Sequence, residues 1–399
     1  MKKRIFSLLM VVSILMLSLA ACGTKEDKAD NNKDNKQETQ DDGADKFYIG
    51  GIGPITGAAA VYGQHVMNAA QIAVDEINAA GGINGALIEY RFEDDVHDPE
   101  KAVNAYNTLK DWGMQILMGT VTSNPGKAVK EETHADNMFM LTPSGSAPEV
   151  VQYDNAFQVC FTDPNQGKAS AVYIADKGLA SKVAVIYNSS DVYSTGIYEK
   201  FAEEANNQNF EIVSAEAFTD DSNSDFAVQL QKAKDNGAEL IFLPIYYEEA
   251  TLILTQAAAM DFKPLFFGCD GLDGILGVEN FDTALAEGVM LLTPFAADAE
   301  DEKTQKFVSA YKAAHDGTVP NQFAADSYDA IYIIKAAIEK SGVTPDMSVS
   351  DICDGMKDAM TKITVDGLTG AGMTWSASGE VNKDPMAVII RDGQYTSAD

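Results

Sequence analysis

From Phe47 to Gly268, short apolar runs alternate with longer stretches in which apolar residues recur every three or four positions. Phe47-Tyr48-Ile49-Gly50-Gly51-Ile52 predicts a strand, and residues 64–80 place Val66, Ala69, Ala70, Ala73, Val74 and Ile77 on one helical face. Gly81-Gly82-Ile83-Asn84-Gly85 stops that helix, and Ile88-Glu89-Tyr90-Arg91-Phe92 starts a second strand. Helix 99–112 leads to strand Gln115–Met118, and helix 125–135 to strand Met138–Leu141. The rhythm restarts with helices 166–177, 193–207, 224–236 and 249–260, which lead in turn to strands 183–187, 210–215, 240–243 and 265–268. Apolar strands that alternate with helices need cover on both faces, the mark of parallel sheets wound in βαβ units. Two such series in one chain predict an α/β fold of two doubly wound parallel-sheet lobes.

The region 288–399 is mixed. It opens with the strand-like Gly288-Val289-Met290-Leu291-Leu292, holds helices at 301–315 and 323–341, and predicts a hairpin from Thr374–Trp375 to Ala387–Arg391. It has no full parallel series, so it is expected to complete both lobes rather than to form a third. The expected division is 46–163 with 297–372 as the N-lobe, and 164–296 with 373–399 as the C-lobe. A chain that crosses between lobes several times makes a multi-crossover hinge with a cleft.

The N-terminal end changes the setting. Lys2, Lys3 and Arg4 precede the apolar run Ile5–Ala20, which ends in Leu19-Ala20-Ala21-Cys22-Gly23. That order resembles a bacterial lipobox and implies a lipoprotein signal peptide over 1–22, with lipidation at Cys22. Residues 24–46 contain no large apolar residue, so 23–46 is expected to be a disordered tether. A flexible coil of that length reaches on the order of 25–30 Å. The protein is therefore expected outside the cytoplasm, anchored by lipid to the outer face of the cell membrane. The net charge of −31 and only three arginines argue against nucleic acid and against direct adhesion to anionic lipid. Cys160, Cys269 and Cys353 form no CxxC pair, so they are read as buried thiols rather than a disulfide framework or a zinc site.

Ligands of open α/β sheets bind beyond the carboxyl ends of the strands. Five such ends carry polar groups: Gly119–Asn124, the TPSGSAPE run at 142–149, Asn188–Tyr193, Tyr246-Tyr247 and Cys269-Asp270. All five are expected to converge on one interlobe cleft. The two serines of TPSGSAPE suit either a nucleophile or a cradle for a small anion. A nucleophile wants an elbow such as GxSxG and a base. No GxSxG occurs, and none of His65, His97, His134 and His315 is expected on the cleft side. The Gly51-x-Gly53-x-x-x-Gly57 spacing is one residue too long for GxGxxG, and Pro54 removes an amide, so no dinucleotide cofactor is expected. Asp94, Asp95, His97 and Asp98 precede Pro99 and are read as helix caps and surface charge rather than metal ligands.

Ser123 precedes Pro125-Gly126 and Ser146 precedes Pro148-Glu149, both good helix starts whose free amides suit a carboxylate. Both serines also suit plain N-capping, and the two roles are compatible. Asp270 is either the acid of a surface Asp-Gly turn or the partner of a ligand ammonium. Tyr62, Tyr193, Tyr246 and Tyr247 offer apolar walls and hydroxyls, or ordinary packing. Together these groups describe a site for an α-amino acid zwitterion.

Over residues 46–395 the chain resembles the type I solute-binding proteins of ABC importers, in the branched-chain amino acid (Leu/Ile/Val) receptor group. The marks are GPITGAAAVYGQHVMNAAQIAVDEINAAGGINGALIEY from Gly53, TVTSNP, TPSGSAPE, DPNQG at 163–167, DVYSTG at 191–196, ADSYDA at 325–330 and DGLTGAGMTW at 366–375. The resemblance implies the periplasmic binding protein-like type I fold and a monomer that catalyses nothing and hands its amino acid to membrane permease subunits. It implies that Ser123 and Ser146 hold the ligand carboxylate, and that the Ser144 carbonyl, Ser146 and Asp270 take the ammonium. Tyr62, Val121, Thr122, Tyr193, Tyr246 and Phe323 would line the side-chain pocket. Asp270 stands where relatives often carry Glu, and Ser144 and Ser146 where Ala and Thr are frequent. Receptors for amides, urea and aromatic acids share the family, so such solutes are the alternative ligands, and a surface serine hydrolase is the reading least supported.

Overall fold

In the computed structural model, which describes residues 45–398, parallel strands gather into two separate sheets. The leader expected at 1–22, the lipid site at Cys22 and nearly all of the expected tether lie outside these residues. The first sheet contains β1 (Lys46–Gly53), β2 (Leu87–Asp94), β3 (Ile116–Gly119), β4 (Phe139–Thr142) and β5 (Ala156–Gln158). Its order is β2-β1-β3-β4-β5 and every pair is parallel. All residues of β3 and β4 are buried, because helices cover both faces of the sheet.

The helices between these strands are α1 (Ala60–Ala79), α2 (Pro99–Trp112) and α3 (Ser123–Asp136). α1 buries the face that the sequence spacing marks, Val66 to Ile77. α2 starts where Asp98 accepts a hydrogen bond from Lys101 N with Pro99 in the first turn, and stops at Gly113, which is left-handed.

The second sheet contains β6 (Lys182–Asn188), β7 (Glu211–Phe218), β8 (Leu240–Leu243), β9 (Leu265–Gly268), β10 (Met290–Thr293), β11 (Met386–Arg391) and β12 (Gln394–Ser397), in the order β12-β11-β10-β9-β8-β6-β7. Pairing is parallel from β7 through β10, and β11 runs antiparallel to both neighbours. Its helices are α4 (Asp163–Asp176), α5 (Val192–Ala205), α6 (Ala227–Asp235) and α7 (Tyr247–Ala259). α4 and α5 pack backbone to backbone at Gly167, where a Cβ would lie 2.3 Å from Ile197 O.

The chain then returns to the first sheet with α8 (Glu302–Ala314), α9 (Gln322–Ser341) and α10 (Val349–Met360). α9 is buried on nearly every side along its first half and lies on α1, with Ser327 Oγ donating to Val66 O. Three details differ from the sequence expectation. α10 and β5 were not anticipated, although Ser348 caps α10 and Ile352, Cys353, Met356, Ala359 and Met360 form its buried face. The terminal hairpin joins β11 to β12, not 374–375 to 387–391, because Asp392-Gly393 supplies the two positive φ angles (51° and 71°) that a two-residue turn needs. Trp375 instead bridges Val381 and donates from its indole to Gln158 O.

One ion pair ties the crossing segments together. Lys383, just ahead of β11, pairs with Asp326 of α9 at 2.9 Å and donates to Val159 O beyond β5 at 2.8 Å. Both side chains are within 1% of full burial, so each charge depends on the other for solvation. Asp326→Ala is expected to lower unfolding stability by about 3 kcal/mol or more in urea, and Asp326→Leu combined with Lys383→Met to cost much less. Equal losses in the two proteins would contradict the pairing.

Candidate functional site

The loops that follow β3 and β4 are laced together by their own hydroxyls. Thr142 Oγ1 donates to Thr120 O at 2.6 Å and accepts from Gly145 N at 2.7 Å. Ser144 Oγ donates to Val121 O at 2.7 Å, and Ser123 Oγ accepts from Ala147 N at 3.2 Å. Val121, Thr122, Ser123, Ser144 and Ser146 are thereby buried side by side. Neither serine is an N-cap: Thr122 holds that position for α3, and Ala147 for the short turn at Pro148–Val151. Ser146 differs from its neighbours, because its Oγ is buried with no hydrogen-bond partner.

Facing these loops, Asp270 follows β9 and is only 2% exposed, which excludes a surface turn. Its Oδ1 accepts from the Tyr193 hydroxyl at 2.7 Å, and its N donates to Gln166 Oε1 at 3.2 Å. The Tyr193 hydroxyl also accepts from Gly271 N at 2.9 Å. A Cβ at position 271 would lie 2.6 Å from both Ile245 O and that hydroxyl, so the approach requires glycine.

Tyr62 reaches over from α1. Its hydroxyl donates to Gly271 O and accepts from Tyr247 N at 3.2 Å. Its ring meets Tyr246 and Tyr247 edge-on and lies 4.2 Å from the Phe323 ring, while Tyr193 stacks on Tyr246 at 4.8 Å. All ten residues expected at the site thus fall in one buried seam between the two sheets.

Two groups bridge the halves of this seam, and the sequence reading assigned neither to it. Asp163, at the start of α4, donates its N–H to Ser146 O at 3.1 Å, and both of its carboxyl oxygens are buried without a hydrogen-bond partner. Burial pushes its carboxyl well above the usual range and the Asp270 charge adds to the rise. Burial likewise lifts Asp270 to about 6 against the hydrogen bond from Tyr193. Gln166 Nε2 and Gln322 Nε2 are further buried donors without partners. Unpartnered buried polar atoms are costly, and their concentration here marks a place built to receive polar groups from outside the chain. Asp163 and Gln166 stand in DPNQG, but an acid in the first turn of a helix ordinarily points to solvent, which concealed them.

The second group is His97, expected away from the cleft and found in it. Its Nδ1 shares a hydrogen bond of 2.9 Å with Thr122 Oγ1, and its ring meets Tyr246 edge-on at 5.4 Å. The loop that carries it holds Val96 and His97 at φ 53° and 61°, and the Asp94 and Asp95 carboxylates accept from Val96 N and His97 N. Asp95 is fully buried, not a surface charge, whereas Asp98 caps α2 as expected. Among the described residues, no histidine is hydrogen-bonded to Ser144 or Ser146. Cys160, Cys269 and Cys353 are buried free thiols.

Comparison with known proteins follows the same outline. The periplasmic binding protein family matches residues 46–394. The Leu/Ile/Val-binding protein homolog 3 of Brucella melitensis is 28% identical over 351 residues, 86% of this chain and 91% of that protein. The leucine-, isoleucine-, valine-, threonine- and alanine-binding protein of Pseudomonas aeruginosa is 28% identical over 75% of this chain and 79% of its own. Among solved structures, the branched-chain amino acid transporter substrate binding protein LivJ from Streptococcus pneumoniae, in complex with isoleucine, superposes with a TM-score of 0.80 at 27% identity and covers 88% of this chain and 98% of that one. An R. palustris solute binding protein in complex with benzoate has a TM-score of 0.78 at 18% identity over 88% of this chain and 95% of its own, a likeness of fold.

Tyr193→Phe removes the hydroxyl that holds the Asp270 carboxylate. The Asp270 pKa is then expected to rise beyond about 6, followed as the pH dependence of its carboxyl 13C shift. A fall would contradict the assigned hydrogen bond.

Proposed function

We propose that this chain, which belongs to the periplasmic binding protein family, binds an amino acid with an aliphatic side chain in the seam between its two sheets. As the extracytoplasmic receptor of an ABC importer it delivers that solute to membrane permease subunits. Support comes from relatives named for Leu, Ile and Val binding and from the similar LivJ structure in complex with isoleucine. The observation that carries the reading is the buried Asp163, whose N–H donates to Ser146 O, beside the unpartnered Ser146 hydroxyl, and whose carboxyl lies within reach of the Asp270 charge from the other sheet.

In this reading the ammonium lies against Asp270, Ser146 Oγ and the Ser144 carbonyl, and neutralises a site that is otherwise acidic. The carboxylate lies against Ser123 and Ser146 at the amino end of α3, where free amides and the helix dipole favour an anion. Tyr62, Val121, Thr122, Tyr193, Tyr246 and Phe323 enclose the side chain. The half formed by 46–163 with 297–372 closes on that formed by 164–296 with 373–399, and the closed form is what the permease meets. A lipid on Cys22 anchors the monomer to the outer face of the membrane. An aromatic acid such as benzoate has no ammonium and would leave the Asp270 charge uncompensated, which is costly in a buried site.

Protein refolded from denaturant to strip bound solute is expected to bind leucine, isoleucine or valine one-to-one in a calorimeter. Asp270→Asn is expected to weaken that binding about a hundredfold, since it removes one partner of a desolvated charge pair. Binding of benzoate with no heat from any amino acid would replace the reading with the aromatic-acid one.

The ammonium needs Asp270 ionised, and burial sets its pKa at about 6. Affinity is therefore expected to hold above that pH and to fall as pH drops through it, toward about tenfold per pH unit. A profile flat from pH 7 to 4.5 would count against Asp270 as the partner.

A further inference from the structure

His97 has no part in the roles assigned so far, yet it touches two residues of the side-chain pocket, one from each half. Its hydrogen bond engages Thr122 Oγ1, and its ring edge meets the face of Tyr246 at an interplanar angle of 89°. Thr122 makes no capping bond to α3, and its hydroxyl is paired with the imidazole. Burial keeps the imidazole neutral against the nearby Asp220 and Asp98 charges, so the ring brings no net charge to the pocket. The loop that presents His97 is strained, since a β-branched residue, Val96, sits beside it at φ 53°. The chain accepts that strain and buries the Asp95 carboxyl to hold this imidazole in place.

We propose that His97 is a specificity-determining residue: by engaging the Thr122 hydroxyl and backing Tyr246, it makes the side-chain end of the pocket less able to hydrogen-bond a ligand. The site then favours branched aliphatic side chains over isosteric ones that carry a hydroxyl. Valine and isoleucine fit such a surface, whereas the threonine hydroxyl would be buried there without a partner. A hydrophobic pocket discriminates only modestly against an added hydroxyl, so the committed state of Thr122 decides a large share of the preference. The inference rests on the amino-acid reading of the site.

Calorimetric titration of isoleucine and threonine into the full-length protein, its His97→Phe and His97→Ala variants, Thr122→Val, and the His97→Phe/Thr122→Val double variant tests it. His97→Phe keeps a ring against Tyr246 but cannot engage the hydroxyl. It is expected to lower the isoleucine-to-threonine affinity ratio about tenfold, the worth of one freed hydrogen-bonding group. In the Thr122→Val background the same change is expected to leave the ratio unmoved, because no hydroxyl remains to be released. A merely structural role would weaken both ligands together and leave the ratio unchanged. A wild-type protein that binds isoleucine, with a ratio that moves by less than about twofold in both His97 variants, overturns the inference and leaves the amino-acid reading standing. A wild-type protein that binds neither amino acid overturns both.

Discussion

A carboxylate buried between two sheets is the constraint on which the rest of this molecule depends. Asp270 is 2% exposed, and the hydroxyl that holds it, from Tyr193, is itself fixed by the Gly271 amide. The same glycine offers its carbonyl to Tyr62 from the other half, so one residue joins the acid, its donor and the contact that closes the seam. A ligand that supplies a cation there offsets the cost of burying the acid, and one that does not leaves a desolvated acid behind.

The fold serves this arrangement by aiming strand ends. Both sheets are parallel where they carry the site, so the loops after β3, β4, β8 and β9 emerge on the same side of each sheet as the starts of α3 and α7. The first sheet contributes backbone and hydroxyls, and the second contributes the acid and two tyrosines. The first side is rigid because nearly every hydroxyl in it is spent on a neighbouring loop, which leaves Ser146 as the free one. The Asp326–Lys383 pair ties α9 to the segments that leave β5 and enter β11.

Much of this was legible in the sequence, for identifiable reasons. Four-residue strands such as Ile116–Gly119 are apolar throughout because both faces are covered, and that pattern predicts parallel sheets. The strand-end rule then named loops that the structure brings to one seam, and the motifs that resemble a known family named residues within them. What escaped was any role set by contacts remote in sequence. His97 reads as part of an acidic loop until Thr122 and Tyr246 are placed beside it. Asp163 reads as a solvated first-turn acid until α4 is packed beneath Ser146. α10 was missed despite a clear apolar face, because short helices late in a mixed region lack the alternation that marked the others. The hairpin was mispaired because apolar runs outweighed the stronger Asp392-Gly393 turn signal.

A crystal structure of the protein grown with isoleucine tests the central claim most directly. The account predicts the ligand in the seam, its ammonium about 3 Å from the Asp270 carboxylate and its carboxylate at the Ser123 and Ser146 hydroxyls. Isoleucine bound in the reverse sense, or an ammonium beyond hydrogen-bond reach of Asp270, would contradict it.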